Sequence, residues 1–295
     1  MIDNPVPWPN NARCAIAITF DMDADSLIHL EHPKTGHRRV SALSMLRYGP
    51  EVSIKRILNT YREFDIQQTF YVPAWCIEQY TDVVKTMVDG GHEVAHHGYI
   101  HENPNALSRE EEMHWLKRGI DVINNVTGQR PRGWRAPLYN FSDNSIDHLI
   151  EEGFKYDASL MGDDVPYVLR TDKGQLIELP SYWGMDDWPQ FVHSMDLDYM
   201  MPIQSPSRGM DVFREEFDAM YKHGGLWVTV WHPFATGRLA RWEKVIELID
   251  YMKNKGDVWF ARMEDIAAHV QSCIDDGSYT PRIDHLPYYA GPVTY

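Results

Sequence analysis

The stretch Ile16-Ala17-Ile18-Thr19-Phe20-Asp21-Met22-Asp23 is β-branched and aromatic, which predicts a buried strand, and it delivers two carboxylates to that strand's end. Side chains alternate faces with period two, so Asp21 and Asp23 share a face and can converge on one point. An Asp-x-Asp pair alone is ordinary loop chemistry. Partners give it meaning: His97-Gly98-Tyr99-Ile100-His101 supplies two imidazoles at i and i+4, which share a face when the segment is helical. One carboxylate and two imidazoles make a three-ligand set that leaves a position on a divalent metal open to water.

Working outward, short β-branched or aromatic runs at 15–20, 68–72, 93–95, 133–135, 177–179, 226–231 and 258–261 read as strands. Amphipathic segments at 52–64, 82–88, 109–126, 144–151, 210–221, 241–253 and 263–274 alternate with them and read as helices. Ser108 with Glu111 reads as a capping box, and Gly128 closes the same helix. The alternation predicts an α/β fold of βαβ units, a distorted (β/α) TIM-like barrel with about seven parallel strands and its site at their C-terminal ends. Asp21, His97, Arg135 and His232 all fall at such ends or just beyond.

The chain reads as a single catalytic domain, 1–295, with an N-terminal extension 1–12 and a C-terminal arm 277–295 rich in Pro and Tyr. The arm is read either as lying on a neighbouring subunit or as a plain ordered tail. Residues 25–50 insert between the first strand and the first helix, and so long a connection reads as a lid or wall.

A formal charge of −15 opposes nucleic acid and anionic membrane surfaces, which leaves small or neutral substrates. Hydrophobic residues at 43% and charged residues at 24% suit a folded globular chain and argue against disorder. Cys14, Cys76 and Cys273 are widely spaced without a C-x-x-C, so they suggest neither a disulfide framework nor a thiolate zinc site. That usage, with no leader-like pattern in the opening residues and no apolar run of spanning length, gives a cytoplasmic expectation.

Asp23, His97 and His101 read as metal ligands, because carboxylate and imidazole suit Zn²⁺ and related ions that polarise a carbonyl and acidify water. Asp21, beside the metal but not on it, is placed as the general base. Arg135 can hold Asp21 ionised through a bidentate contact; its alternative is an ordinary surface ion pair. His232 closes the run Leu226-Trp227-Val228-Thr229-Val230-Trp231 and is the candidate general acid for a leaving nitrogen. The alternative for any single histidine is a core residue satisfied by backbone, and for His92 and His96 that reading is preferred. Tyr139, Tyr182, Trp183 and Trp188 are candidate walls for a substrate ring, or else core packing. A calcium loop at Asp21-x-Asp23-x-Asp25 fails, since Ser26 stands where Gly is required and His32 where Glu is. No G-x-S-x-G elbow supports a serine nucleophile.

In chain order, Thr19-Phe20-Asp21-Met22-Asp23, His97-x-x-x-His101, Arg135-x-Pro137 and the strand-final His232 resemble the motifs of the polysaccharide deacetylase superfamily, the NodB homology domain of carbohydrate esterase family 4. The resemblance covers most of residues 13–270. It implies a distorted (β/α) barrel and one divalent metal, zinc first, with cobalt or manganese as alternatives. It casts Asp21 as base, Asp23, His97 and His101 as ligands, Arg135 as the residue orienting the base and His232 as acid.

Three features depart from the carbohydrate-active pattern: Met22 separates aspartates that are adjacent there, Tyr139 replaces the usual glycine, and the 25–50 insertion would narrow an open groove. With His97-Gly98-Tyr99-Ile100-His101-Glu102-Asn103-Pro104, Tyr156-Asp157-Ala158-Ser159-Leu160-Met161 and Glu178-Leu179-Pro180-Ser181-Tyr182-Trp183, they are similar to a branch holding cyclic imidases, allantoinase-like enzymes and a peptidoglycan-deacetylase-type protein. Members of that branch are typically cytoplasmic homotetramers. The resemblance therefore implies a metal-dependent hydrolase of carbon–nitrogen bonds other than peptide bonds, opening a small cyclic imide or related cyclic amide. An N-acetyl-sugar or peptidoglycan deacetylase is the alternative, and a non-catalytic barrel protein the second one.

Overall fold

The computed structural model describes residues 1–294. Among them ten strands share one sheet. They are β1 Cys14–Asp21, β2 Thr69–Val72, β3 Glu93–His96, β4 Gly133–Trp134, β5 Tyr156–Asp157, β6 Tyr167–Thr171, β7 Gly174–Glu178, β8 Leu226–Trp231, β9 Val258–Phe260 and β10 Ile283–His285. The helices are α1 Ser26–Glu31, α2 Val40–Tyr48, α3 Ile54–Glu63, α4 Ala74–Gln79, α5 Thr81–Asp89, α6 Arg109–Thr127, α7 Ser145–Glu151, α8 Trp188–Phe191, α9 Pro206–His223, α10 Leu239–Lys255 and α11 Met263–Asp275.

The strand order is β10-β6-β7-β5-β4-β3-β2-β1-β8, with β9 also on β1, and only the β6–β7 pair is antiparallel. The sheet does not close. Between β7 and β8 runs a connecting segment that touches β8 by one bridge, Asp186 to Val230. The fold is thus the expected distorted (β/α) barrel in an open form.

Strand β1 is buried along its whole length, and its two faces do different work. Ile16, Ile18, Phe20 and Met22 pack outward with Ile57 and Tyr61 of α3, Phe213 and Phe217 of α9, and Trp242 and Val245 of α10. Ala15 and Ala17 pack inward with Tyr71, Ala95, Tyr156, Ala158, Ile177 and Val228. Fully burying each large outward side chain contributes roughly 1.5–3 kcal/mol, so the outer layer fixes the register. The inward parity then carries on through Thr19 to Asp21, and it sends Met22 to the outer core between the two aspartates. Strand β8 obeys the same rule: Leu226 and Val228 face inward, Trp227 and Trp231 outward, and inward parity leads to Val230 and His232. Gly133 of β4 is small for a steric reason, since a Cβ there would lie 1.8 Å from Cζ of Tyr156.

Helix α6 begins and ends as its sequence predicts. Ser108 Oγ accepts from Glu111 N, Glu111 Oε2 accepts from Ser108 N, and Gly128 takes the left-handed conformation at φ 73°. The 25–50 insertion folds into α1 and α2, and a wide turn at Gly49–Ser53 leads α2 into α3. The arm is docked on its own chain at β10, which pairs with β6, and at Tyr279, whose hydroxyl donates to Pro166 O. No helix among the described residues is long and apolar enough to cross a membrane.

One buried acid at the foot of the inner layer makes stability depend on pH. Glu93 accepts from Thr69 Oγ1 at 2.7 Å, Tyr156 Oη at 2.8 Å and Glu264 N at 3.0 Å. Burial, aided by the Glu264 charge and opposed by those donors, pushes its carboxyl from 4.5 up to about 7. The folded chain therefore holds a proton that the unfolded chain has lost between these values. The resulting stabilisation is full below pH 4.5 and is lost as pH rises through 7. Glu93→Gln, whose amide oxygen can still accept from Thr69 Oγ1 and Glu264 N while its NH2 donates to Tyr156 Oη as the protonated acid would, should remove this slope, on the order of 3 kcal/mol between pH 4.5 and 7.5. Urea melts of both proteins across that range check it.

Candidate active site

Asp21 ends β1 and Asp23 follows it, His97 follows β3, Arg135 follows β4, and His232 follows β8. All five are buried and meet at the C-terminal ends of the strands. The segment from His97 to His101 is not helical. Gly98 and His101 both take positive φ, 73° and 70°, and the Glu102 carboxylate accepts from Tyr99 N and Ile100 N at 2.8–2.9 Å. This tight turn, rather than a helical face, returns His101 beside His97 with ring centroids 4.9 Å apart.

Asp23 Oδ1 lies 3.3 Å from His97 Nε2, and Asp23 Oδ2 lies 3.5 Å from His101 Nε2. Ligands held at about 2.0–2.1 Å by a tetrahedral ion stand about 3.3–3.4 Å apart, so the spacing fits. His97 Nδ1 donates to Arg135 O at 2.7 Å, which leaves the Nε2 lone pair directed at the set. Asp23 Oδ1 is buried and has no hydrogen-bond donor, a deficiency that a cation would meet. Burial opposes the Asp23 charge, but His101, His232 and His97 outweigh it and hold the carboxyl well below the ordinary range. Burial pulls His101 down to about 4, which favours its neutral, ligating form.

Asp186, Asp187 and His232 form a second cluster of potential ligands. Its geometry points to a different use. Asp187 Oδ1 accepts from His232 Nδ1 at 2.7 Å, while Oδ2 accepts from His232 N, Thr236 N and Thr236 Oγ1 at 2.5–3.1 Å. Asp187 is already saturated and serves to orient the imidazole. His232 turns its Nε2 to within 3.4 Å of Asp23 Oδ2. Burial resists a charge on this ring, but Asp187 and Asp23 push it well above the ordinary histidine range, so it carries a proton at neutral pH.

Arg135 is fully buried, which removes the surface ion-pair alternative. Its Nη1 donates to Asp21 Oδ1 at 2.6 Å and to Thr19 Oγ1 at 2.9 Å, its Nε donates to Ala158 O at 3.1 Å, and its Cζ lies 3.9 Å from the centroid of the Tyr71 ring. The contact to Asp21 is made by one nitrogen and not by the bidentate fork that the sequence suggests: Nε goes to Ala158 O, and Nη2 makes no hydrogen bond. Asp21 Oδ2 lies 3.5 Å from His97 Nε2. His96 and His92 are held by backbone: His96 Nε2 by Leu116 O and Nδ1 by Gly98 N, His92 Nδ1 by Gln68 N.

A cavity of about 240 Å³ opens on these groups, walled by Leu27 of α1, Leu138, Tyr139, Trp183, Asp186, Trp188, Leu197 and Tyr199. Tyr139, Trp183 and Trp188 thus stand where a substrate ring would lie. Tyr182 does not: extended backbone alternates its side chains, and its hydroxyl bonds Glu216 on α9 instead. Asp186 and Asp187 escape a reading of the sequence, where the only hint is an acidic pair before Trp188. A larger groove, about 750 Å³, lies on the outer helices α3 and α5 and carries none of these groups.

The two acidic clusters are separable by metal binding. Chelator-treated protein titrated with Zn²⁺ should take up one ion per chain, and Asp23→Asn, His97→Ala and His101→Ala should each bind at least about 100-fold more weakly. Asp187→Asn should bind as the parent does. Full metal retention by a His97→Ala, His101→Ala double variant would contradict the assignment.

Comparisons with known proteins identify the family. The family described as polysaccharide deacetylase matches residues 36–156. A crystal structure from Mycobacterium smegmatis, named for the polysaccharide deacetylases, is 36% identical with a TM-score of 0.90, over 96% of this chain and 97% of its own. The structure of Puue allantoinase has a TM-score of 0.80 at 25% identity, covering 92% of this chain and 94% of that one. A peptidoglycan deacetylase of Helicobacter pylori is 28% identical over 274 residues, 83% of this chain and 92% of that protein. With near full-length identity to the mycobacterial protein and the ordered motifs assembled at one site, the chain belongs to the polysaccharide deacetylase family, a family of hydrolases that act on carbon–nitrogen bonds.

Proposed function

We propose that the chain is a metal-dependent amidohydrolase that opens a small cyclic imide or a related ring amide. The observation that supports this most is the cavity. At about 240 Å³ it falls below the roughly 300–1,000 Å³ of drug-sized sites, and its walls are mostly apolar and aromatic. Leu27 comes from the 25–50 insertion and Leu197 and Tyr199 from the segment after α8. The two are tied where Arg39 pairs with Asp196 and His32 Nε2 meets Asp196 O at 2.8 Å. A compact ring suits such walls, whereas a polymer needs an open groove. The likeness to an allantoinase supports ring-amide chemistry. The Helicobacter relative favours a second reading, deacetylation of an N-acetyl sugar in peptidoglycan.

A divalent ion held by Asp23, His97 and His101, with zinc best suited to that donor set, would supply Lewis acidity to a water and to the scissile carbonyl. Asp21 takes the proton of the attacking water, and Arg135 with Thr19 keeps its carboxylate aimed. As the C–O bond forms and the C–N bond breaks, His232 gives its Nε2 proton to the departing nitrogen while Asp187 holds Nδ1. The same reading takes a cytoplasmic homotetramer as the working form.

Zinc-loaded protein should open succinimide or hydantoin and leave N-acetylglucosamine oligomers untouched. Asp21→Asn should keep its zinc and lose about 10²–10⁴-fold in kcat, the usual worth of a positioned base. Deacetylation of the oligomers without ring opening would replace this reading by the second.

A further inference from the structure

Resting on the ring-amide reading of the same site, we infer that Asp186 is its specificity-determining acceptor: its carboxylate receives the N–H of the scissile amide and restricts turnover to nitrogen-unsubstituted substrates. Asp186 lines the cavity beside Asp21 and Asp23 and is 2% exposed, yet it belongs neither to the spacing-matched metal set nor to the Arg135 pair. Its Oδ2 accepts from Tyr139 Oη and its Oδ1 from Trp188 N, both at 2.7 Å. A carboxylate oxygen can accept two bonds, so each retains capacity for one more.

The placement selects which part of a substrate would use it. Asp186 Oδ1 is 4.0 Å from His232 Nδ1, the same ring whose Nε2 faces Asp23. Asp186 also lines, with His232 and Asp23, one cavity of about 240 Å³, so a scissile nitrogen that meets the His232 Nε2 proton there shares that small space with the Asp186 carboxylate. With its N–H given to Asp186, that nitrogen keeps its lone pair free for the His232 proton, and Asp186 neither gains nor loses a proton in the cycle. Around it, Leu138, Trp183 and Trp188 form a wall that excludes water, so a buried carboxylate with only two donors gains from a third that the substrate brings.

The acceptor is also held in place at a cost. Leu138 and Tyr139 both take left-handed φ, 53° and 57°, a conformation that disfavours bulky residues by about 1–2 kcal/mol each. That turn is what brings the Tyr139 hydroxyl onto Asp186. On the other side, the bridge between Asp186 and Val230 pins its backbone to β8.

The test compares kcat/KM of zinc-loaded parent, Asp186→Ala and Tyr139→Phe on three substrates: succinimide, N-methylsuccinimide and 4-nitrophenyl acetate, an ester with no N–H. Assayed at about pH 8.5, above the value of about 7 to which burial pushes the Asp186 carboxyl, the parent should prefer succinimide over its N-methyl form by about 100-fold, and Asp186→Ala should lose about 30-fold on succinimide, the worth of a hydrogen bond to a charged group. Its preference should shrink to about threefold while ester turnover and zinc content hold within about twofold. Tyr139→Phe should move the same ratio in the same direction by less. A ratio unchanged in Asp186→Ala, or ester and imide falling together, would overturn the inference, the second outcome marking Asp186 as structural. If the parent instead deacetylates N-acetylglucosamine oligomers and opens no imide, the ring-amide reading fails by itself. The inference then stands only if Asp186→Ala loses the acetamido substrate and spares the ester. A parent that hydrolyses the ester alone overturns both.

Discussion

A guanidinium with no access to water sits at the centre of this site, and the surrounding structure is arranged to hold it. Arg135 reaches β1 through Asp21 and Thr19 and β5's exit through Ala158 O, and its Cζ sits over the Tyr71 ring of β2. Its own carbonyl fixes the tautomer of His97. Removing such a charge from water costs several kcal/mol, which a buried ion pair recovers only with good geometry, so the pair is weak evidence for stability. What it gives is position. One residue aims the carboxylate beside the metal set and also one of that set's imidazoles. Small inner-face residues, Ala15, Ala17, Gly133 and Ala158, leave the space in which this can happen.

The candidate catalytic groups divide into two halves, one set against His97 and the other against Asp23. On one side stand Asp21 and Arg135, on the other His232 and Asp187, and both halves have a member within 3.5 Å of the ligand atoms. On the proposed reading these halves are an acceptor for a water proton and a donor for a nitrogen beside one candidate metal position, the two groups that amide hydrolysis needs. That machinery is indifferent to what carries the amide. The walls discriminate, and here they come from α1, from the turn at Leu138 and Tyr139 and from the chain around α8. On the proposed reading, activity and specificity reside in different elements of the fold, so members of one family can share the first while differing in the second.

Much of this was legible in the sequence because period-two patterning is a local property. The register of β1 follows from Ile16, Ile18 and Phe20, and with it the inward direction of Asp21; the same holds for β8 and His232. The capping box of α6 was visible for the same reason. Other features depend on contacts that no local pattern encodes. The i, i+4 spacing of His97 and His101 suggests a helix, but Glu102 folds it into a turn. Gly119, an apparent weakness inside α6, makes room for the His96 ring, which would lie 2.1 Å from a Cβ there. A strand as short as β5, two residues long, leaves no periodicity to read. Asp187 and Asp186 take opposite roles from adjacent positions, and only the partners that reach them, Thr236 and His232 for one and Tyr139 for the other, tell them apart.

The central claim is that one ion is bound by Asp23, His97 and His101 while Asp21 stays outside the coordination sphere on Arg135. Anomalous diffraction from crystals of the zinc-loaded protein, collected on both sides of the zinc edge, tests it most directly. The account predicts a single anomalous peak about 2.0–2.2 Å from an Asp23 oxygen and from both Nε2 atoms, with the Asp21 to Arg135 contact intact. A peak centred instead on Asp186, Asp187 and His232, or one with Asp21 among its ligands, would contradict it.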